Sequence, residues 1–165
     1  MIDQIQEAFP NIEEECLTII NDKHVFIFED DKAVFVTAKE KRHLHIENKT
    51  NDSFYFIQND DCVMKYEKGG QCDYIILNNE NIYFTEIKVA KKNFANHRKD
   101  AYSQIKNTFT FYNKKIKFNT DQNLYAFICF PSPRRTINVS ALTKRKEFKE
   151  NYGLNLIEGN YISFE

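Results

Sequence analysis

Residues 69–88, GGQCDYIILNNENIYFTEIK, carry the reading that decides the fold. The runs CDYIIL (72–77) and IYFTEIK (82–88) are rich in β-branched and aromatic residues. The polar NNEN between them (78–81) supplies turn chemistry, so the pattern predicts two strands closed as a hairpin. Three charged side chains interrupt the apolar run: Asp73, Glu86 and Lys88. Glu86 and Lys88 are two apart on one strand and share a face. A hairpin that pairs Leu77 with Ile82 puts Asp73 opposite Glu86, where facing Cβ atoms lie roughly 4.5–5.5 Å apart. A slip of one residue sends Asp73 to the other face and dissolves the cluster.

Two carboxylates held that close repel each other, and burying them unpaired is costly. A divalent cation relieves both problems. Hard oxygen ligands completed by water are what Mg²⁺ or Mn²⁺ prefers. Such an ion activates water and polarises a phosphoryl oxygen, and a neighbouring ammonium offsets charge in the transition state. Metal-assisted hydrolysis of a phosphodiester is the chemistry that fits Asp73, Glu86 and Lys88.

The pattern of Asp73, a hairpin, then Glu86-Ile87-Lys88 resembles the PD-(D/E)XK nuclease superfamily. The resemblance spans roughly residues 61–130. It implies that Asp73 and Glu86 bind Mg²⁺ (or Mn²⁺), that the Ile87 carbonyl assists, and that Lys88 serves catalysis. Many members follow this hairpin with a helix whose Gln faces the site, a place held here by Gln104 in AYSQIKNTFTFY (101–112). Two positions depart from the pattern. Cys72 precedes Asp73 where a Pro is common, and Thr108 stands where some branches have an aromatic four residues after the Gln. The implied fold is α/β: a restriction-endonuclease-like sandwich with a central mixed sheet flanked by helices, elaborated here by extra N-terminal strands.

Glu-x-Lys by itself carries no information, because the chain also contains Glu47-Asn48-Lys49 and Glu147-Phe148-Lys149. Only the Glu86 copy is embedded in an apolar strand with an Asp on the adjoining one. The competing reading is a surface salt bridge on a half-exposed hairpin, worth about 0–1 kcal/mol and without function.

The 165 residues are expected to form one domain with its own core: an N-terminal helix and elaborated strands (1–60), a catalytic core (61–130), and a C-terminal helix and strands (131–165). A formal net charge of −1 excludes the diffuse basic attraction of a non-specific nucleic-acid binder, so contacts with DNA or RNA must come from local patches. Lys91, Lys92, His97, Arg98 and Lys99 are one such patch, and Arg134 with Arg135 after Pro131-Ser132-Pro133 are a second; a solvated basic turn is the alternative for the first. Four scattered cysteines (16, 62, 72, 129) without a Cys-x-x-Cys read as reduced and buried in a cytoplasmic protein. A zinc site from His43, His45, Cys62 and Cys72 is the minor alternative, although the spacing matches no structural zinc pattern. No run approaches the ~20 apolar residues of a membrane span.

Along the chain, apolar spacing predicts helix from residue 2 to about 20, interrupted at Pro10. The resemblance implies a metal-site Glu on this first helix, for which Glu13, Glu14 and Glu15 are available, with Glu15 nearest the apolar face and a solvated acidic face as the simpler reading. Strands are predicted at 24–28, 33–38, 43–47, 54–58 and 62–66, with residues 24–50 as an elaboration suited to a substrate or partner. Gly69-Gly70 predicts a tight turn or close backbone approach before Asp73. Helix follows over 94–112, a doubly buried strand over 124–130, a charged helix over 141–151, and two short strands around Gly159-Asn160. The expected function is a metal-dependent nuclease acting on nucleic acid, most readily DNA, as a homodimer or part of a complex. The alternative is a catalytically inactive nuclease-fold module that binds or regulates within a larger complex.

Overall fold

The computed structural model describes residues 1–10, 12, 16–30, 32–37, 41–50, 52–90, 92–118, 121–131 and 141–165, the side chains of Lys32 and Ala141 excepted. In chain order the elements are α1 (Ile2–Ala8), β1 (Leu17–Ile20), β2 (His24–Asp30), β3 (Lys32–Val36), β4 (Leu44–Asn48) and β5 (Phe54–Gln58). An irregular turn (Asn59–Val63) leads to β6 (Tyr74–Leu77), β7 (Asn81–Ile87), α2 (Phe94–Lys115), β8 (Asn123–Cys129), α3 (Ala141–Tyr152), β9 (Asn155–Gly159) and β10 (Tyr161–Phe164). The architecture is α/β with two mixed sheets. Sheet A has the order β1-β5-β6-β7-β8-β9, and sheet B the order β10-β4-β2-β3.

The central hairpin forms in the register that brings Asp73 opposite Glu86, with Leu77 opposite Ile82 and Tyr74 opposite Thr85. Both strands are buried on both faces, which their unbroken apolar character demands. From β7 the sheet continues parallel into β8 through α2, and from β8 into β9 through α3. Two crossovers of the usual hand that step a sheet in the same direction leave both helices on one face. Ile105 and Phe109 of α2 and Phe148 of α3 pack there with Ile5 of α1 on Ile75, Phe84 and Ile128.

Sheet A is therefore not flanked by helices on both sides. Its other face is covered by sheet B, where Val25, Ile27, Leu44, Ile46, Ile162 and Phe164 pack on Tyr74, Ile76, Tyr83 and Phe127. β2, β3 and β4 thus supply most of a second layer. β10 completes it in parallel with β4, so β9 and β10 do not pair as neighbours: the chain crosses between sheets at Gly159–Asn160.

Three other expectations are corrected. The first helix ends at Ala8 before Pro10 and Ile12 is again helical, but the helix does not reach residue 20: Leu17–Ile20 is a strand paired antiparallel with β5, as its three β-branched residues favour. Residues 62–66 are not a strand, because Asn59–Val63 turns sharply with Asp61 in the left-handed region at φ 54°. The cysteines are not all reduced: Cys16 and Cys62 form a disulfide, while Cys72 and Cys129 are free and buried. The disulfide joins the start of β1 to that turn, and the cysteines no longer argue for a reducing compartment. It also removes Cys62 from any zinc site, and the remaining candidates are dispersed, with Cys72 in the helix-side core and His43 and His45 at sheet B. No helix among the described residues is long and apolar enough to cross a membrane.

Candidate functional site

Asp73 sits one residue before β6, where extending the register brings it opposite Glu86. Two hydrogen bonds lock the pair. The Asp73 amide donates to Glu86 Oε2 at 3.1 Å, and the Ile87 amide donates to Asp73 Oδ2 at 2.6 Å. Lys88 Nζ closes the group with an ion pair to Glu86 Oε1. Glu86 is 1% exposed and Lys88 19%, so this is no solvated surface pair. All three charged residues predicted from the hairpin are brought together.

Burial governs their protonation. It pushes Asp73 well above the usual carboxylate range, and the neighbouring Glu86 charge pushes it further, against the Ile87 amide and Lys88. Glu86 is raised to about 7, again first by burial, with Lys88 pulling the other way. A buried Glu86 and a half-buried Asp73 with one lysine, paired to Glu86, carry an excess of negative charge whenever both ionise. The donors on hand, two carboxylates and the Ile87 carbonyl, are hard oxygens of the kind Mg²⁺ or Mn²⁺ takes. Among the described residues no group of three or more His, Cys, Asp or Glu side chains forms a cage. A cation here would be held by the pair and would complete its shell with water, which is how Mg²⁺ is commonly bound.

The backbone leading into Asp73 is gripped from both sides. From α2, the Thr108 hydroxyl accepts the Cys72 amide at 2.9 Å, Gln104 Nε2 donates to the Gln71 carbonyl at 3.1 Å, and Asn107 Nδ2 donates to the Gly70 carbonyl at 3.2 Å. From the turn after β5, Asn59 Nδ2 donates to the Cys72 carbonyl at 2.8 Å, and its amide donates to the Asp73 carbonyl at 2.9 Å. The glycine pair serves this approach. Gly69 takes φ +97°, and a Cβ on Gly70 would lie 2.7 Å from Gln104 Cγ. Gln104 therefore reaches the loop that carries Asp73 and holds it there, and its Oε1 is buried without a hydrogen-bond partner. Thr108, the departure from the aromatic of some branches, is fully buried and does chemical work as an acceptor. Asn59 was not singled out by sequence reasoning, which read the adjoining segment as a strand; its signal is a polar residue that ends an apolar strand and is itself 0% exposed.

Two further acids belong to this neighbourhood. The Glu29 carboxylate accepts the Tyr74 hydroxyl and adds to the negative field on Asp73, while Asp60 adds to that on Glu86. Other candidates fare differently. Arg98 is committed to Glu158, with Nε 2.8 Å from Oε1, and lies over the Phe130 ring, so it is not available for phosphate. Lys92 and Lys99 remain exposed and His97 is half-buried. Glu13, Glu14, Glu15, Lys91, Arg134 and Arg135 lie outside the described residues.

No family model, curated protein or solved structure matches the chain.

Proposed function

We propose that the protein is a metal-dependent nuclease of the PD-(D/E)XK type, hydrolysing phosphodiester bonds in nucleic acid, with DNA as its substrate. The observation that carries this reading is the locked juxtaposition of Asp73 and Glu86 with Lys88 on the acid. Asp73, Glu86 and the Ile87 carbonyl would hold Mg²⁺ or Mn²⁺. Such an ion supplies Lewis acidity toward a phosphoryl oxygen and water. Lys88, anchored by Glu86, presents its ammonium to the charge that develops on the phosphate. Gln104, Thr108 and Asn59 act on the backbone that positions Asp73 and are positioning residues. The restriction-endonuclease-like arrangement is supported by the hairpin, the α2 crossover and the parallel β8 that follow one another as that fold requires.

The test is cleavage of plasmid DNA, single-stranded DNA and RNA with Mg²⁺ or Mn²⁺. Cutting is expected to disappear in Asp73→Ala and in Lys88→Ala, and cutting that survives both rules this site out. One observation favours a non-catalytic relative of the same fold: each acid already has a protein partner, Glu86 in Lys88 and Asp73 in the Ile87 amide. Calorimetric titration separates the two readings, since a binding or regulatory module shows no heat with either cation.

A further inference from the structure

Sheet B has an outer face whose surface differs from the polar side usual for a two-layer sheet. Its inner residues Val25, Ile27, Leu44 and Ile46 are buried against sheet A. The two-residue alternation then turns His24, Phe26 and Phe28 of β2 outward, with His43, His45 and Tyr161 beside them. These rings line up in a row of two groups, Phe28 with His43, and Phe26 with His45, Tyr161 and His24. Centroids lie 4.4 Å apart for Phe28 and His43, 4.7 Å for Phe26 and His45, 5.2 Å for His45 and Tyr161, and 5.4 Å for His24 and His45. The Arg42 guanidinium stands 5.6 Å from the Phe26 centroid. His24 is exposed and the other five rings are only half-buried.

The charges on this face are mixed. The Glu47 carboxylate accepts the Tyr161 hydroxyl and keeps its charge, and Glu165 pairs with Lys49 at 2.7 Å. Arg42 and the exposed Lys41 border the rings at the start of β4. His43 Nδ1 accepts the Glu29 amide at 3.0 Å, so a neutral His43 carries its proton on Nε2 and keeps a donor on the ring. Aromatic faces interleaved with guanidinium and ring N–H donors are how proteins hold unstacked bases. With a net charge of −1 the chain lacks the basic excess that would draw a duplex by its phosphates alone. Glu29 then ties this face to the acid pair: its amide is bonded to His43, and its carboxylate to Tyr74, the neighbour of Asp73. The Phe28–His43 end of the row and the Asp73–Glu86 pair therefore lie at the same end of the two sheets.

We propose that the outer face of sheet B is a stacking platform for the bases of a single-stranded nucleic acid, leading the strand toward the Asp73–Glu86 pair. The direction of delivery rests on the nuclease reading; binding to the platform does not. The experiment is fluorescence anisotropy in EDTA with labelled oligo(dT), oligo(U) and a mixed-sequence duplex. Single strands are expected to bind at least about tenfold more tightly than duplex. Phe26→Leu, which keeps apolar bulk and loses the ring, is expected to weaken single-strand binding about tenfold, or about 1.4 kcal/mol. Arg42→Gln is expected to weaken it less and to lower its salt dependence. Equal binding of duplex, or unchanged affinity in both variants at unchanged melting temperature, overturns the platform. Photocrosslinking of an iodouracil-substituted strand to the wild-type protein is independent of any variant's folding: adducts are expected within residues 24–28 and 42–45, and adducts confined elsewhere overturn it. Binding in EDTA without cleavage in Mg²⁺ upholds the platform while removing the nuclease reading, and ring-insensitive cutting of duplex does the reverse.

Discussion

Glu47-Asn48-Lys49 and Glu86-Ile87-Lys88 are the same three-residue pattern at the ends of two strands, and the molecule uses them in opposite ways. On β4 the two charges part company. Glu47 takes the Tyr161 hydroxyl, and Lys49 pairs with Glu165 at 43% and 73% side-chain exposure. On β7 they stay together, buried under α2 and faced by a second acid. Tyr161 draws Glu47 below the usual carboxylate range, while burial lifts Glu86 above it. The difference lies in the layer above each strand. Sheet B meets solvent on its outer side, whereas β7 is covered on both, so only there does charge proximity become a problem that a cation would solve.

The largest expected effect breaks the comparison outright. Asp73→Ala or Lys88→Ala should lower cleavage by at least about a hundredfold, while Glu47→Ala and Lys49→Ala leave the cleavage rate unchanged. Single-turnover assays at saturating Mg²⁺ make the measurement. Equal losses at both motifs would show that neither is the site.

Metal and pH sharpen it next. A carboxyl whose folded pKa is raised binds more protons folded than unfolded, so stability falls as pH rises from the ordinary glutamate value of 4.5 to about 7 for Glu86. Asp73, raised as well, adds in the same direction. Cation binding to the ionised pair removes that loss. Mg²⁺ at about a hundred times its Kd should stabilise the protein by about 2.7 kcal/mol, or roughly 5–10 °C in Tm. Thermal melts should show this shift at about pH 8 and little of it at about pH 5, and Asp73→Asn should abolish it. The same variant should melt higher than wild type in EDTA at about pH 8, because the Asn keeps an acceptor for the Ile87 amide without the charge. A shift independent of pH would place the cation elsewhere.

Thr108→Val deprives the buried Cys72 amide of its acceptor and should cost about 1–3 kcal/mol. It should also weaken Mg²⁺ binding, and Thr108→Ser should restore both. Loss of stability with intact Mg²⁺ affinity would reduce Thr108 to a packing role. The smallest effect belongs to the exposed pair: Lys49→Ala should leave both the melting temperature and Mg²⁺ affinity essentially unchanged.

Much of this was legible in the residues because it rests on short-range pattern. The β-branched and aromatic runs and the turn chemistry of residues 72–88 dictate a hairpin, and closing it with Leu77 opposite Ile82 is what brings Asp73, Glu86 and Lys88 together. Gln104 stands out through the resemblance, and the helical period of α2 adds only that it lies on a helix. Local pattern failed where the deciding partner is distant. Leu17–Ile20 has helical spacing with the residues before it, yet β5 pairs with it as a strand. Cys16 meets Cys62 across a sequence separation of 46, and a lone cysteine carries no sign of its mate.

The sequence by itself determined the hairpin, its three charges and the order of helix and strand after it, since each follows from the preferences of neighbouring residues. Only the tertiary structure decided which Glu-x-Lys is buried, that Thr108 and Asn59 hold the backbone before Asp73, and that residues 24–36, 44–48 and 161–164 form a second layer with a ringed outer face. Those outcomes depend on which surfaces meet once the crossovers have placed the helices on one side, and that is a property of the assembled layers rather than of any one segment.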